Sequence, residues 1–81
     1  MTSQYEFDAA DFADHLAAMG DDELFRLMAQ LEKQSEDIRP EYRNTSDIFG
    51  KIALVESAIE DRFPGQILAP YKDWRQRQPD L

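Results

Sequence analysis

Between Leu24 and Phe63 the apolar side chains recur every three or four residues, and one proline, Pro40, interrupts them. That interval places side chains on one face of an α-helix, whereas a half-buried strand needs alternation with period two. No stretch of the chain sustains such alternation, so the sequence predicts an all-α fold. Pro40 divides the run, because the residue before a proline is pushed out of the helical region.

The punctuation around these rows defines four candidate helices, over 8–19, 22–38, 41–63 and 70–77, after a short tail at 1–6. In the first, Asp8 is the expected N-cap with Asp11 at N3, and Phe12, Leu16 and Met19 form the apolar row beside Ala9 and Ala13. Phe7 and Phe12 then occupy the two positions of a hydrophobic staple. Gly20 is the expected left-handed stop, and Asp21 or Asp22 the cap of the next helix. That second helix carries Leu24, Leu27, Met28, Leu31 and Ile38, with Ser35 in the gap and Phe25 at the edge.

The third helix is read as continuous from 41, because Tyr42 and Thr45 extend the row of Ile48, Phe49, Ile52, Val55, Ile59 and Phe63. A start at Asn44-Thr45-Ser46, with Asp47 in the first turn, is the alternative. Leu54 and Ala58 widen its apolar arc, which implies more than one packing neighbour. Gly50, up to about 1 kcal/mol poorer than Ala in a helix, is read as a close helix crossing. The sequence FPG at 63–65 stops the helix, and a short helix from Pro70 to Arg77 follows. Its Tyr71 and Trp74 share one side and are expected to cover the open end of the hairpin, with Arg75 and Arg77 outside. The expected architecture is one small helical domain over 1–81: an antiparallel hairpin of the second and third helices, an N-terminal helix packed across it, and a short C-terminal helix.

Composition narrows the chemistry. The 81 residues hold no cysteine, which excludes disulfides and thiolate metal sites. No apolar run reaches the roughly 18 residues that span a bilayer. The segment MTSQYEF lacks the basic and apolar regions of a secretory signal. A soluble, cytoplasmic protein is the expectation. A net charge of −8 opposes direct binding to nucleic acid or to anionic membranes, and favours steering towards a basic protein surface.

Catalytic equipment is not evident. His15 is the single histidine; Asp11 lies one turn before it, and the pair reads as an exposed helix histidine beside acids. The three glycines are dispersed, so no Gly-rich phosphate loop exists, and the Asp-rich stretch 8–14 lacks the EF-hand spacing. No cofactor, metal or catalytic residue is therefore expected. Glu56 falls among Ile52, Ile59 and Phe63, where an unpaired buried carboxylate would be costly. It is expected at the edge of the buried area; a contact with Arg39, Arg43 or a second subunit is the alternative. YKDWRQR at 71–77 combines residue types common in binding hot spots.

The charge distribution carries the functional reading. The first 25 residues hold seven acids and no Lys or Arg. Helix-start chemistry explains Asp8, Asp11, Asp21, Asp22 and Glu23, because acids suit a first turn. It does not explain Asp14 or the missing cations, since a solvated helix surface normally mixes both signs. Asp8, Asp11, Asp14, Asp21, Asp22 and Glu23 are therefore the candidate partner-binding residues. They suit an acidic inhibitor or regulator of a basic, nucleic-acid-handling protein. The alternative is an accessory subunit, adaptor or immunity protein that binds through Phe25, Leu54 and Ala58, with a second copy of the chain as one such partner. In size and charge alone the chain resembles phage-encoded inhibitors, among them anti-CRISPR proteins and DNA mimics, and toxin-immunity proteins. No motif carries that resemblance, and it assigns no residue a role.

Overall fold

The computed structural model describes residues 8–42 and 46–78. Helices α1 (Ala9–Ala18), α2 (Asp21–Ser35), α3 (Asp47–Arg62) and α4 (Ala69–Gln76) follow one another, with a 3-10 turn at Pro40–Tyr42 between α2 and α3. No strand occurs among the described residues, and the all-α reading holds.

Helix directions follow from side-chain contacts. Arg62 at the end of α3 reaches Asp21 at the start of α2, and the Phe25 and Phe63 rings stack at 6.0 Å. The two helices are therefore antiparallel and form the hairpin. Helix α1 lies against α3 and runs parallel to it. Lys51, early in α3, sits 5.9 Å from the Phe12 ring, while Arg62, at its end, binds the last carbonyls of α1. Helix α4 packs on α2 and crosses it, sending Trp74 to Asp22 and Tyr71 to Glu32.

The core sits where α2 and α3 face each other. Leu24, Val55 and Ile59 are completely buried, and Leu16 and Met28 nearly so. Each such side chain contributes about 1.5–3 kcal/mol of transfer free energy. Phe12, Leu27, Ile52 and Phe63 pack around them, half-buried. Ile38 and Phe49, also expected in the core, are half-buried. Phe25 is not an edge residue: its ring is buried, 5.9 Å from both Tyr71 and Trp74. The expected burial of Tyr71 and Trp74 is found, and they stack on each other at 6.2 Å. Arg77 lies outside as expected, but Arg75 is half-buried.

Helix boundaries show where local chemistry outweighed the apolar rows. Asp8 caps α1 as expected, its Oδ1 accepting from the amides of Ala10 and Asp11. Gly20 is not a left-handed stop: its φ is −74° and it occupies the N-cap position of α2. Asp21 and Asp22 consequently lie inside the first turn rather than capping it. Helix α2 ends at Ser35, not at 38, and the chain continues in i→i+3 turns through Asp37 and Ile38. Ser35 Oγ donates to the Glu32 carbonyl, and Glu36 and Asp37 place negative charge at the negative end of the helix dipole.

Helix α3 does not run from 41. Ser46 is extended at φ −81°, ψ 133°, and its Oγ accepts from the Ile48 amide. A serine N-cap is worth about 1 kcal/mol, more than the apolar row gained by extension through Tyr42, which is 56% exposed. Phe7 and Thr45 lie outside the described residues. Gly50 is buried within α3.

Candidate functional site

The six candidate acids divide into two groups by what their oxygens do. Asp8, Asp11, Asp14, Asp21, Asp22 and Glu23 are all exposed as residues. Asp21 and Asp22, however, have internal partners. Arg62 Nη1 donates to Asp21 Oδ1 at 2.9 Å. Trp74 Nε1 donates to Asp22 Oδ1 at 2.6 Å, and Arg26 approaches Asp22 Oδ2 at 3.5 Å. These two carboxylates join α2 to α3 and α4.

The other four face outward. Asp8 spends one oxygen on its capping bonds. Asp11 lies 3.5 Å from His15 Nδ1, with both side chains about two-thirds exposed. No Lys or Arg pairs with Asp14 or Glu23 among the described residues. Three-residue spacing sets these charges along α1 at about 4.5 Å of axial rise per step. Asp11 and Asp14 lie about 140° and 160° around the helix from the buried Leu16, so the ridge points away from the core. One DNA strand presents a charge about every 3.4 Å of its axis, a comparable linear density.

Arg62 explains why α1 can end where it does. Its Nη2 donates to the carbonyl of Leu16 at 2.9 Å, which also accepts from the Met19 amide, and to that of Met19 at 2.7 Å, which has no backbone donor among the described residues. A cation at that end also opposes the negative pole of the dipole. The Arg62 guanidinium therefore fastens the end of α1, and with it the acidic ridge, to α3, beside the packing of Phe12, Leu16 and Met19.

A second polar cluster joins α2 to α4. Glu32 Oε1 accepts from Tyr71 Oη at 2.5 Å and from Arg75 Nη1 at 2.6 Å, and Arg75 Nη1 lies 3.2 Å from Tyr71 Oη. Burial, and then donation to Glu32, push the Tyr71 hydroxyl up to about 12. Donation to Tyr71 in turn holds the Arg75 guanidinium above its usual range.

No family model matches the chain, and neither a curated protein nor a solved structure does.

Other features weighed in the sequence can be compared with the structure. Glu56 is exposed, at the edge of the apolar arc. Among the described residues no group of three or more His, Asp or Glu side chains is placed to hold a metal ion. No helix among them is long and apolar enough to cross a membrane. The adaptor surface is reduced, because Phe25 is covered by the chain's own α4. Leu54 and Ala58 are half-buried.

Sequence reasoning did not single out Arg62 or Glu32. Arg62 gives no local signal beyond a basic residue in a last turn. Glu32 does: Phe25, Ala29 and Glu32 recur at helical spacing, which marks a second buried row on α2 ending in a carboxylate that needs a donor.

Proposed function

We propose that this protein is a non-catalytic acidic binding protein whose α1 ridge occupies a basic surface of a nucleic-acid-handling protein, inhibiting or regulating it. The observation that supports this most is the α1 ridge itself. Asp8, Asp11 and Asp14 are exposed, and no Lys or Arg lies on α1 to neutralise them. Glu23, at the start of α2, adds to the same charge. Asp21 and Asp22 contribute field more than contact, because their oxygens are already engaged internally. Such a surface raises the rate of encounter with a cationic partner and discriminates against anionic ones, nucleic acid and membranes included. The reading needs no cofactor, and it places the protein with its partner in the cytoplasm.

The test is affinity capture from the native cell followed by association kinetics on the captured protein. The partner should bind DNA or RNA in competition with this chain. Asp11→Lys with Asp14→Lys should slow association by roughly tenfold or more at low salt, an effect that fades as salt screens the charges. Helical content should not change. A partner whose affinity ignores both the double reversal and salt would instead favour an apolar adaptor, and self-association of the wild type would favour a homodimer.

A further inference from the structure

The connection between α3 and α4 contains a contradiction between sequence and conformation. Ile67 and Leu68 both have left-handed backbones, at φ 50° and 62°. That region favours Gly or Asn and penalises branched side chains. The loop uses glycine for the same purpose at Gly65, where φ is 78°. Leu68 recovers its cost by packing on the core. Ile67 does not: it is 77% exposed. A strained position that is also wet calls for a small polar residue, and the chain has isoleucine. Such local disagreements concentrate at binding sites.

Its chain neighbour Leu68 lines an open cavity of about 340 Å³, together with Glu32, Tyr71, Lys72, Arg75 and Gln76. That is the low end of the roughly 300–1,000 Å³ typical of ligand pockets, room for a side chain or two. Its rim is basic. From Pro64 to Arg77 the chain has Lys72, Arg75 and Arg77 against one acid, Asp73, in a protein that is otherwise strongly acidic. The Arg75 bonds to Glu32 and Tyr71 both leave from Nη1, so Nε and Nη2 keep donors for an outside carboxylate. Trp74 is buried and bonded to Asp22, so no indole face is available for stacking a base.

We propose that Ile67 and the α4 cavity form a second interaction surface, opposite in charge to the α1 ridge, that takes an acidic peptide segment carrying an aliphatic side chain. The aliphatic group enters the cavity over Leu68 and Tyr71 and against Ile67. A neighbouring carboxylate meets the remaining donors of Arg75, with Lys72 supplying further positive charge. Lys72, which pairs with no acid among the described residues, and the open donors of Arg75 beside an apolar floor select this occupant over a nucleic acid, which lacks the aliphatic group, and over a basic peptide. With two surfaces of opposite sign, the protein can bridge a basic partner and an acidic one.

The probe is an acetylated, amidated pentapeptide with two adjacent leucines flanked by glutamates, titrated into the full-length protein and followed by amide chemical shifts. Shifts should saturate and concentrate in 67–76. Replacing the leucines by serine or the glutamates by lysine should weaken binding by roughly fivefold or more, about 1 kcal/mol. Ile67→Asn should raise the melting temperature, because Asn accepts the left-handed backbone, and should weaken peptide binding by a similar factor. Lys72→Glu should weaken binding without lowering the melting temperature. The proposal is overturned if the pentapeptide gives no saturable shifts at millimolar concentration, or shifts mainly α1. It is overturned equally if the lysine peptide or a ten-nucleotide oligothymidine binds as well. Dilution of the protein alone that moves the same amides would assign the surface to a second copy and refute it. An Ile67→Asn protein that melts lower, or binds unchanged, refutes the role given to Ile67. None of these outcomes involves Asp11 or Asp14, so they are separable from failure of the α1 reading.

Discussion

Arg62→Ala should be the most destabilising change of a surface-accessible residue in this protein. Its guanidinium makes three bonds to groups 41 to 46 residues away in sequence, two of them to the carbonyls that close α1. The side chain is 24% exposed, so those carbonyls are only partly open to water once it is removed. A hydrogen bond from a charged donor contributes about 1.5–3 kcal/mol net, and water recovers part of each. The Asp21 contact is to a carboxylate 57% exposed, worth under about 1 kcal/mol. The expected total loss is therefore about 2–4 kcal/mol. A chain of this length has roughly 4–12 kcal/mol of stability in all, and each kcal/mol moves its melting temperature by about 4–8 °C.

Urea unfolding followed by circular dichroism and by Trp74 fluorescence measures this loss. Arg62→Lys keeps the charge but not the fork, and should lose about half as much. Asp21→Ala alone should cost well under half of the Arg62→Ala value, because the carbonyl bonds survive it. If Arg62→Ala costs under about 0.5 kcal/mol, like an ordinary exposed position, the account of α1 closure is wrong. If Asp21→Ala costs as much as Arg62→Ala, the ion pair and not the carbonyl capping holds the junction.

Gly20 stands at an N-cap in a conformation open to any residue, and an added Cβ would meet only Glu23 Oε1, at 3.7 Å. Gly20→Ser should therefore stabilise by about 0.5–1 kcal/mol through capping and a less flexible unfolded chain; a loss in urea unfolding would refute this. Ile59→Ala, at a fully buried site, should cost about 2–5 kcal/mol. Ile52→Ala, at a half-buried one, should cost clearly less, and equal losses would contradict the packing described. Because the Tyr71 hydroxyl holds its proton up to about 12 in the folded chain, against 10.0 when unperturbed, the native state binds more protons between these values. The associated stability is complete below pH 10.0 and is lost as pH rises towards 12. Ultraviolet titration should show one late tyrosinate that Tyr71→Phe removes, and a late step that persists in that variant would assign it elsewhere.

Much of this architecture is determined by the sequence alone. Helix period is a local property, set by side chains three and four residues apart, so Leu24, Leu31, Val55 and Ile59 declare both their helices and their burial. Capping is local too, and Asp8 and the FPG stop at 63–65 are legible for that reason. The same locality explains the errors: Ser46 and Ser35 show that side-chain bonds to the backbone within a few residues outweighed the apolar rows that Tyr42 and Ile38 extended on paper. What tertiary structure decided is which charges are spent inside. Asp14, Asp21 and Asp22 look alike in sequence, yet Asp21 and Asp22 meet Arg62 and Trp74 from distant helices, while Asp14 meets no cation among the described residues. Phe25 became the centre of an aromatic cluster because α4 folds back over it. Partners separated by 41 or 52 residues depend on how whole helices dock. That docking is fixed by the summed burial of many side chains, and no spacing within one helix encodes it.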